Sequence, residues 1–402
     1  MKIYEYIKGE NKRTAKLFGL TIMEQTSDYM TSERYQKFFG GIISTIKIND
    51  KYIDCSNKEI KIFNQTIIKL YEKNNYRIYC IGNKELYRVS LFNEFKRKYF
   101  KYLDKKYDDI YILHANSGET YLTLTYIIDA LIKKNNSKSP LLIATQKYHV
   151  DMIKMICPDI PYVYVSKFKL RITENFFKID KFRFFLLFNN SHFKLVEKNI
   201  RNYDLGKYHY FYAILERLNI SEQEISMRPI NVNLNDEKKA LEKVQKTGLN
   251  LEKFVFLAPE AQSCKLYDKD FWIELIKGFQ FAGYDVFVNL VEDEIKFEKE
   301  LNYKSCYLTF GEAFALAKHS KKIVSLRSGF TEFLLQTNVP VDVIYTKFRK
   351  RHFFDDLDIY HVMSGFGLTQ LPFVDKSKIM EFNTYEMTAK NCVEMICKQI
   401  KG

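Results

Sequence analysis

Twice along this chain, short apolar strands alternate with amphipathic helices, and that rhythm limits the folds open to it more than any other feature. The first series begins at Asp108: "DIYILHA" reads as a strand, "SGETYLTLTYIIDALIKKN" as a turn and helix, and "SPLLIATQ" as the next strand. It goes on through "KYHVDMIKMIC", a helix, "PYVYVS", a strand, and "FRFFLLFN" to the helical "HYFYAILERLN" near residue 218. The second series runs "FVFLAPE", "DKDFWIELIKGFQFAG", "YDVFVNLV", "FGEAFALAKHS", "KKIVSL", "GFTEFLLQTN" and "VPVDVIYT". Such alternation predicts parallel sheets with helices on both faces. The polar stretch "SEQEISMRPINVNLNDEKKALEKVQKTGLN" between the series marks a domain boundary near 220–250. Two doubly wound domains in tandem put their strand carboxyl ends, where such sheets bind ligands, on facing walls of one cleft.

The first ninety residues have another texture. A basic residue followed by apolar and aromatic ones recurs at Lys16-Leu17-Phe18-Gly19, Lys37-Phe38-Phe39-Gly40, Lys61-Ile62-Phe63-Asn64 and Arg77-Ile78-Tyr79. Alternating β-branched runs with Gly or Asn nearby predict strands joined by tight turns. "LFNEFKRKYFKYLDKKY" then reads as a basic amphipathic helix. The expected organisation is a β-rich hairpin module over 1–90, a Rossmann-like domain over 91–235, a second over 236–375 and a C-terminal helix over 376–402. The module is expected to lie outside the cleft and to serve self-association or contact with partners or membrane.

At 402 residues the chain exceeds what one hydrophobic core serves. No run of 18 apolar residues occurs, and the opening "MKIYEYIKGENKRTAKLFG" lacks the apolar core of a signal peptide. Seven scattered cysteines without a Cys-x-x-Cys fit reduced thiols in a cytoplasm better than disulfides or a zinc site. Lys and Arg number 63 against 49 Asp and Glu, a net charge of +14 that favours an anionic partner.

Three turns carry the polar residues of interest. Arg327-Ser328-Gly329 follows "KKIVSL" and opens a helix, where unpaired backbone N–H groups favour an anion. Gly329 permits close approach, Ser328 offers a hydroxyl and Arg327 a fork matched to phosphate oxygens. Equally, Arg327 could pair with Glu332 while Ser328 caps the helix. Pro259-Glu260-Ala261 ends the first strand of the second series, with Ser263 and Lys265 close behind. Gly311-Glu312 opens a third helix, where the glutamate could meet a ribose or balance the dipole.

These residues resemble the bacterial heptosyltransferase-type glycosyltransferases, which build lipopolysaccharide and other surface polysaccharides on the GT-B fold. The family's Pro-Gly-Ala turn with a following lysine corresponds to Pro259-Glu260-Ala261 and Lys265. Its Asp-Ser-Gly-x-x-His, which holds the donor diphosphate, corresponds to Arg327-Ser328-Gly329-x-x-Glu332. Its strand, Gly-Asp and helix with an Ala-Leu pair corresponds to Gly118-Glu119 and Ala130-Leu131, with one residue of slack. The resemblance spans residues 108 to about 345. Glutamate replaces aspartate at 119, arginine replaces aspartate at 327, and glutamate replaces histidine at 332, so ADP-heptose is not implied as donor.

The resemblance implies an inverting, metal-independent transfer of a sugar from a nucleotide-diphosphate donor to a glycan or lipid-linked acceptor. Glu119 is the expected general base, with His114 next in line; Pro259, Glu260, Ser263, Lys265, Gly311, Glu312, Arg327, Ser328, Gly329 and Glu332 form the expected donor site. Gly118, with Arg349 and Arg351 in the basic "KFRKRHFF", is assigned to the acceptor or membrane side. No cofactor beyond the nucleotide sugar is called for. Asp268-Lys269-Asp270 and Asp356-Leu357-Asp358 could hold a magnesium ion, but isolated triplets are weak signals. The expected location is the cytoplasm, with peripheral contact at the inner face of the plasma membrane and homo-oligomerisation left open. Two other classes compete: a basic nucleic-acid-binding protein, against which the dispersed charge and missing recognition motif argue, and a non-catalytic GT-B-like assembly subunit.

Overall fold

A computed structural model gives the fold. It describes residues 4–8, 12–17, 20–28, 33–39, 43–50, 55–63, 65–73, 76–103, 106–113, 116–166, 176–186, 209–290, 297, 301–349 and 357–401. The chain divides into two units, one of Met1–Tyr111 with Lys167–Lys194, the other of Ile112–Ser166 with Leu195–Gly402.

The first unit is built on strands β1–β9: Tyr4–Lys8, Lys12–Leu17, Leu20–Asp28, Glu33–Phe38, Ile43–Asp50, Cys55–Ile62, Gln65–Lys73, Tyr76–Ile81 and Lys84–Ser90. They pair antiparallel in chain order, a nine-stranded meander. Helix α1 (Leu91–Tyr99) follows, capped by Ser90 and amphipathic: Leu91, Phe95 and Tyr99 are buried while Lys96, Arg97 and Lys98 supply the last turn with charge of the sign its dipole favours. Phe95 packs edge-on against Phe184 at 5.1 Å, in the hairpin of two later strands, Phe176–Ile179 and Phe182–Leu186. There Arg183 grips the buried Asp109 (Nη2 to Oδ2, 2.7 Å).

The second unit holds the second α/β series and much of the first, whose strand "FRFFLLFN" belongs instead to the hairpin of the first unit. Strand β10 (Asp109–Leu113) carries the chain into it, and helix α2 (Ser117–Leu122) continues through a π turn at Thr123–Ile127 into α3 (Ile128–Lys134). Strand β11 (Pro140–Ala144), helix α4 (Lys147–Ile156) and strand β12 (Tyr162–Tyr164) follow, β11 and β12 in parallel. The hairpin strands above are β13 and β14, and helix α5 spans Tyr210–Leu218.

The polar interval between the two series is pinned to the rest of the unit. Arg228 forks onto Asp129 (2.7 Å) and Asp159, its N–H meets the Thr125 carbonyl at 2.8 Å, and the Asn231 N–H meets Met155. The sequence also conceals a helix there, α6 (Leu234–Gln245), capped by Asn233. Its apolar stripe is thin, with only Ala240 and Val244 buried, which explains why periodicity missed it.

The second sheet comprises β15 (Phe254–Ala258), β16 (Asp285–Val288), β17 (Ile323–Leu326), β18 (Val341–Tyr345) and β19 (Ile379–Asn383), all parallel, in the order β16-β15-β17-β18-β19. β15 is buried throughout, as a strand covered on both faces must be. The covering helices are α7 (Lys269–Phe281), α8 (Phe310–Ala317), α9 (Gly329–Leu334), α10 (Ile359–Phe366) and α11 (Ala389–Lys401). A buried pair, Lys322 Nζ to Asp342 Oδ2 at 2.8 Å, ties β17 to β18, and Lys322 also reaches Gln399 on α11. Among the described residues no helix is long and apolar enough to cross a membrane.

Candidate functional site

In the second sheet the chain steps from β15 outward to β16, then returns to the other side of β15 to lay down β17. The direction of winding reverses between β15 and β17, and in open α/β sheets the crevice outside the carboxyl ends of two such strands is where ligands bind. Two of the turns singled out in the sequence follow those strands: Pro259–Lys265 follows Ala258, and Arg327-Ser328-Gly329 follows Leu326.

The first turn is fastened from below. Arg349 donates through Nε to the Cys264 carbonyl (2.9 Å) and through Nη2 to that of Ala261 (2.6 Å), while its own N–H meets Ser263 O. The backbone of Lys265 is gripped on both sides, N–H to Lys347 O and carbonyl to the Thr346 hydroxyl. Pro259 and Ala261 are buried, Glu260 and Ser263 half-buried, and the Lys265 side chain is exposed. Arg349, expected on the acceptor side, thus shapes the turn after β15. Arg351 lies outside the described residues.

The second turn faces inward. All three guanidinium nitrogens of Arg327 donate within the protein: Nε to Phe366 O (3.0 Å), Nη1 to Ser328 O (3.0 Å) and Nη2 to Glu332 Oε1 (2.6 Å). Of the two roles open to Arg327, the ion pair with Glu332 is the one present. Ser328 likewise caps α9, its hydroxyl accepting from the Thr331 N–H. Arg327 and Glu332 thus pair as a cation and an anion across the first turn of α9.

Sequence reasoning missed the residues that complete this cluster. Tyr210, opening α5, donates its hydroxyl to Glu332 Oε1, and burial followed by the charge of Glu332 holds its pKa well above 10.0. His209 caps the same helix; burial, then the charge of Arg327, pushes its pKa down to about 3, so it is a neutral imidazole at pH 7. "HYFYAILERLN" carries a helix period, and nothing in that period marks its first two residues as partners of a site more than a hundred residues away.

The turn from the first series arrives at the same place. A Cβ on Gly118 would stand 2.6 Å from Glu332 Oε2 and 3.1 Å from the Gly329 Cα; one on Gly329 would stand 2.2 Å from the Gly118 N. The two glycines therefore serve a backbone-to-backbone approach of α2 and α9, one from each series. Glu332 Oε2 has no hydrogen-bond partner among the described residues. Replacing Gly329 with alanine should push the helices apart and cost about 1–3 kcal/mol, as overpacked cores do. A thermal unfolding midpoint equal to that of the unaltered chain would contradict this contact.

Glu119 sits beside that contact, half-buried, with its carbonyl receiving the Thr123 hydroxyl at 2.8 Å. Burial raises its pKa from 4.5 to about 7, and the charge of Glu332 adds to the rise while Arg327 opposes it. His114, the other candidate base, lies outside the described residues. Glu312 is buried and committed to its helix: it closes a capping box with Thr309 and pairs with Lys243 at 2.6 Å, with Gly311 packed near Asp236. Asp268 caps α7, and Asp356 falls outside the described residues.

By structure the chain is similar to the family 9 glycosyltransferase of Veillonella parvula, at 11% identity over 70% of this chain and 86% of that one, with a TM-score of 0.45. It is similar in the same way to the ADP-heptose lipopolysaccharide heptosyltransferase II of E. coli (11% identity, 73% and 98% covered, TM-score 0.44). The dodecameric iron-containing glycosyltransferase TibC of enterotoxigenic E. coli also matches (14% identity, 81% and 83% covered, TM-score 0.42). No family model and no curated protein matches the sequence.

Proposed function

We propose that this chain is an inverting glycosyltransferase that moves a sugar from a nucleotide-diphosphate donor to a glycan or lipid-linked acceptor, in the building of a bacterial surface polysaccharide. The observation that carries the reading is the meeting of three turns: the two that follow the strands at the winding reversal, and the Gly118-Glu119 turn packed against one of them. The motif resemblance to the heptosyltransferase type supports the class of reaction.

In this reading the donor diphosphate lies outside the ends of β15 and β17, with the exposed Lys265 as its cation. Arg327, engaged with Glu332, instead holds in place the turn that the diphosphate meets. Glu119 takes the proton of the acceptor hydroxyl as that oxygen bonds to the anomeric carbon, while the bond to the nucleoside diphosphate breaks and its charge stays with the leaving group. A carboxyl that titrates near 7 is matched to that proton transfer at neutral pH.

A thermal-shift panel of nucleoside diphosphates tests the proposal. A ligand at a hundred times its dissociation constant stabilises the native state by roughly 2.7 kcal/mol. One diphosphate should raise the unfolding midpoint while its nucleoside does not. Stabilisation by heparin or DNA with no response to any diphosphate would favour the nucleic-acid alternative.

A further inference from the structure

In a nine-stranded meander, the turns after β2, β4, β6 and β8 all lie at one end of the sheet. Three of the four copies of the sequence repeat fall at that end, while Arg77-Ile78-Tyr79 stands toward the start of β8. Leu20 begins β3 and is 74% exposed; Phe39 and Phe63 follow β4 and β6 and are 61% and 74% exposed; Ile81 ends β8 at 57%. A lysine stands in a strand beside each turn, Lys16 in β2, Lys37 in β4, Lys61 in β6 and Lys84 in β9, of which Lys37 and Lys84 are exposed. Turns two strands apart are separated by roughly 10 Å, so the row of apolar tips extends over roughly 30 Å.

The backbone at these tips is unusual. Phe39 has φ 50° and Phe63 has φ 45°, while Gly82, at the equivalent place after β8, has φ 56°. A left-handed conformation suits glycine and is strained for an aromatic residue. Two phenylalanines thus stand, exposed, where glycine would serve the turn better, and such strain is a pointer to function rather than to folding.

Charge is concentrated in the same part of the chain. Residues 1–107 hold 22 Lys and Arg against 12 Asp and Glu, a net +10 of the total +14. Exposed apolar tips flanked by lysines match the two attractions of an anionic bilayer, insertion at the acyl boundary and attraction to the headgroups.

We propose that this end of the sheet docks on an anionic lipid bilayer, with Leu20, Phe39, Phe63 and Ile81 entering the interfacial zone and Lys16, Lys37, Lys61 and Lys84 meeting the headgroups. The site stands apart from the transferase reading and does not depend on it.

The test is co-sedimentation of the full chain with phosphatidylcholine vesicles, and with vesicles containing about 30% phosphatidylglycerol, an anionic fraction sufficient for headgroup attraction. The chain should bind the anionic vesicles and not the neutral ones. The double variant Phe39→Gly/Phe63→Gly relieves backbone strain, so it should fold as well as the original while its partition to anionic vesicles falls about tenfold or more. Circular dichroism and the unfolding midpoint check the fold. Equal binding by the variant, equal binding to neutral vesicles, or no binding would each overturn the proposal. So would a sedimentation-velocity mass showing that the two phenylalanines hold copies of the chain together.

Discussion

Arg327→Ala is expected to lower the free energy of unfolding by about 3–5 kcal/mol, the usual cost of removing one partner from a buried ion pair. Arg327 is 7% exposed and Glu332 1%, so the abandoned carboxylate would have little water to turn to. The Tyr210 hydroxyl would remain on Oε1, but the carbonyls of Phe366 and Ser328 would each lose a donor. Burial and pairing make opposite demands here, so the double variant Arg327→Met/Glu332→Leu should cost far less than the single one. Equilibrium unfolding in denaturant measures both. A loss below about 1 kcal/mol for Arg327→Ala, the scale of a surface pair, would contradict the ion pair.

Glu119→Gln is expected to lower turnover about a hundredfold or more, the usual scale of general-base loss, while leaving donor affinity nearly intact. The pH dependence follows from the direction of the shift. A carboxyl raised from 4.5 to about 7 binds its proton more tightly in the folded chain than in the unfolded one. Its contribution to stability is therefore full below about pH 4.5 and is lost as the pH rises through about 7. The base must be ionised to act, so turnover should climb through the same interval in which this stabilisation is lost. The Glu119→Gln variant should lack that limb of the rate profile. Glu332→Gln, which removes a neighbouring negative charge, should move the midpoint to lower pH. Near-normal turnover in Glu119→Gln would remove this residue from the mechanism and leave His114 as the next candidate.

Most of both series could be read from hydrophobic period, because strands such as Phe254–Ala258 are apolar from end to end and their helices carry broad apolar faces. Yet "FRFFLLFN", expected to continue the alternation, pairs antiparallel with the unread β13. Elements without such a signal escaped: α6 has a thin stripe, and β19, "IMEFN", is short and mixed. The π turn at Thr123–Ile127, which joins α2 to α3, also left no mark in the hydrophobic period. At the site, sequence identified the turns but not their partners. Whether Arg327 meets a phosphate or Glu332 depends on which acceptor lies within reach, and the carboxylate five residues on is fixed in place by α9. Tyr210 and His209 come from a distant segment, and only tertiary packing brings them to Glu332 and Arg327. The repeat of a basic residue and an aromatic was visible in the sequence, but that three of its copies share one end of the sheet emerged only from the order of strands.

Calorimetric titration of nucleoside diphosphates into the unaltered chain and into Lys265→Ala tests the central claim most directly. One diphosphate should bind the unaltered chain, its nucleoside at least about tenfold more weakly, since a charge-assisted phosphate contact contributes roughly 1.5–3 kcal/mol. Lys265→Ala should close most of that gap without altering the unfolding midpoint. The absence of binding by ADP, GDP, UDP, CDP and dTDP to the folded chain would contradict the transferase reading, and a gap unchanged in Lys265→Ala would place the phosphates elsewhere than the ends of β15 and β17.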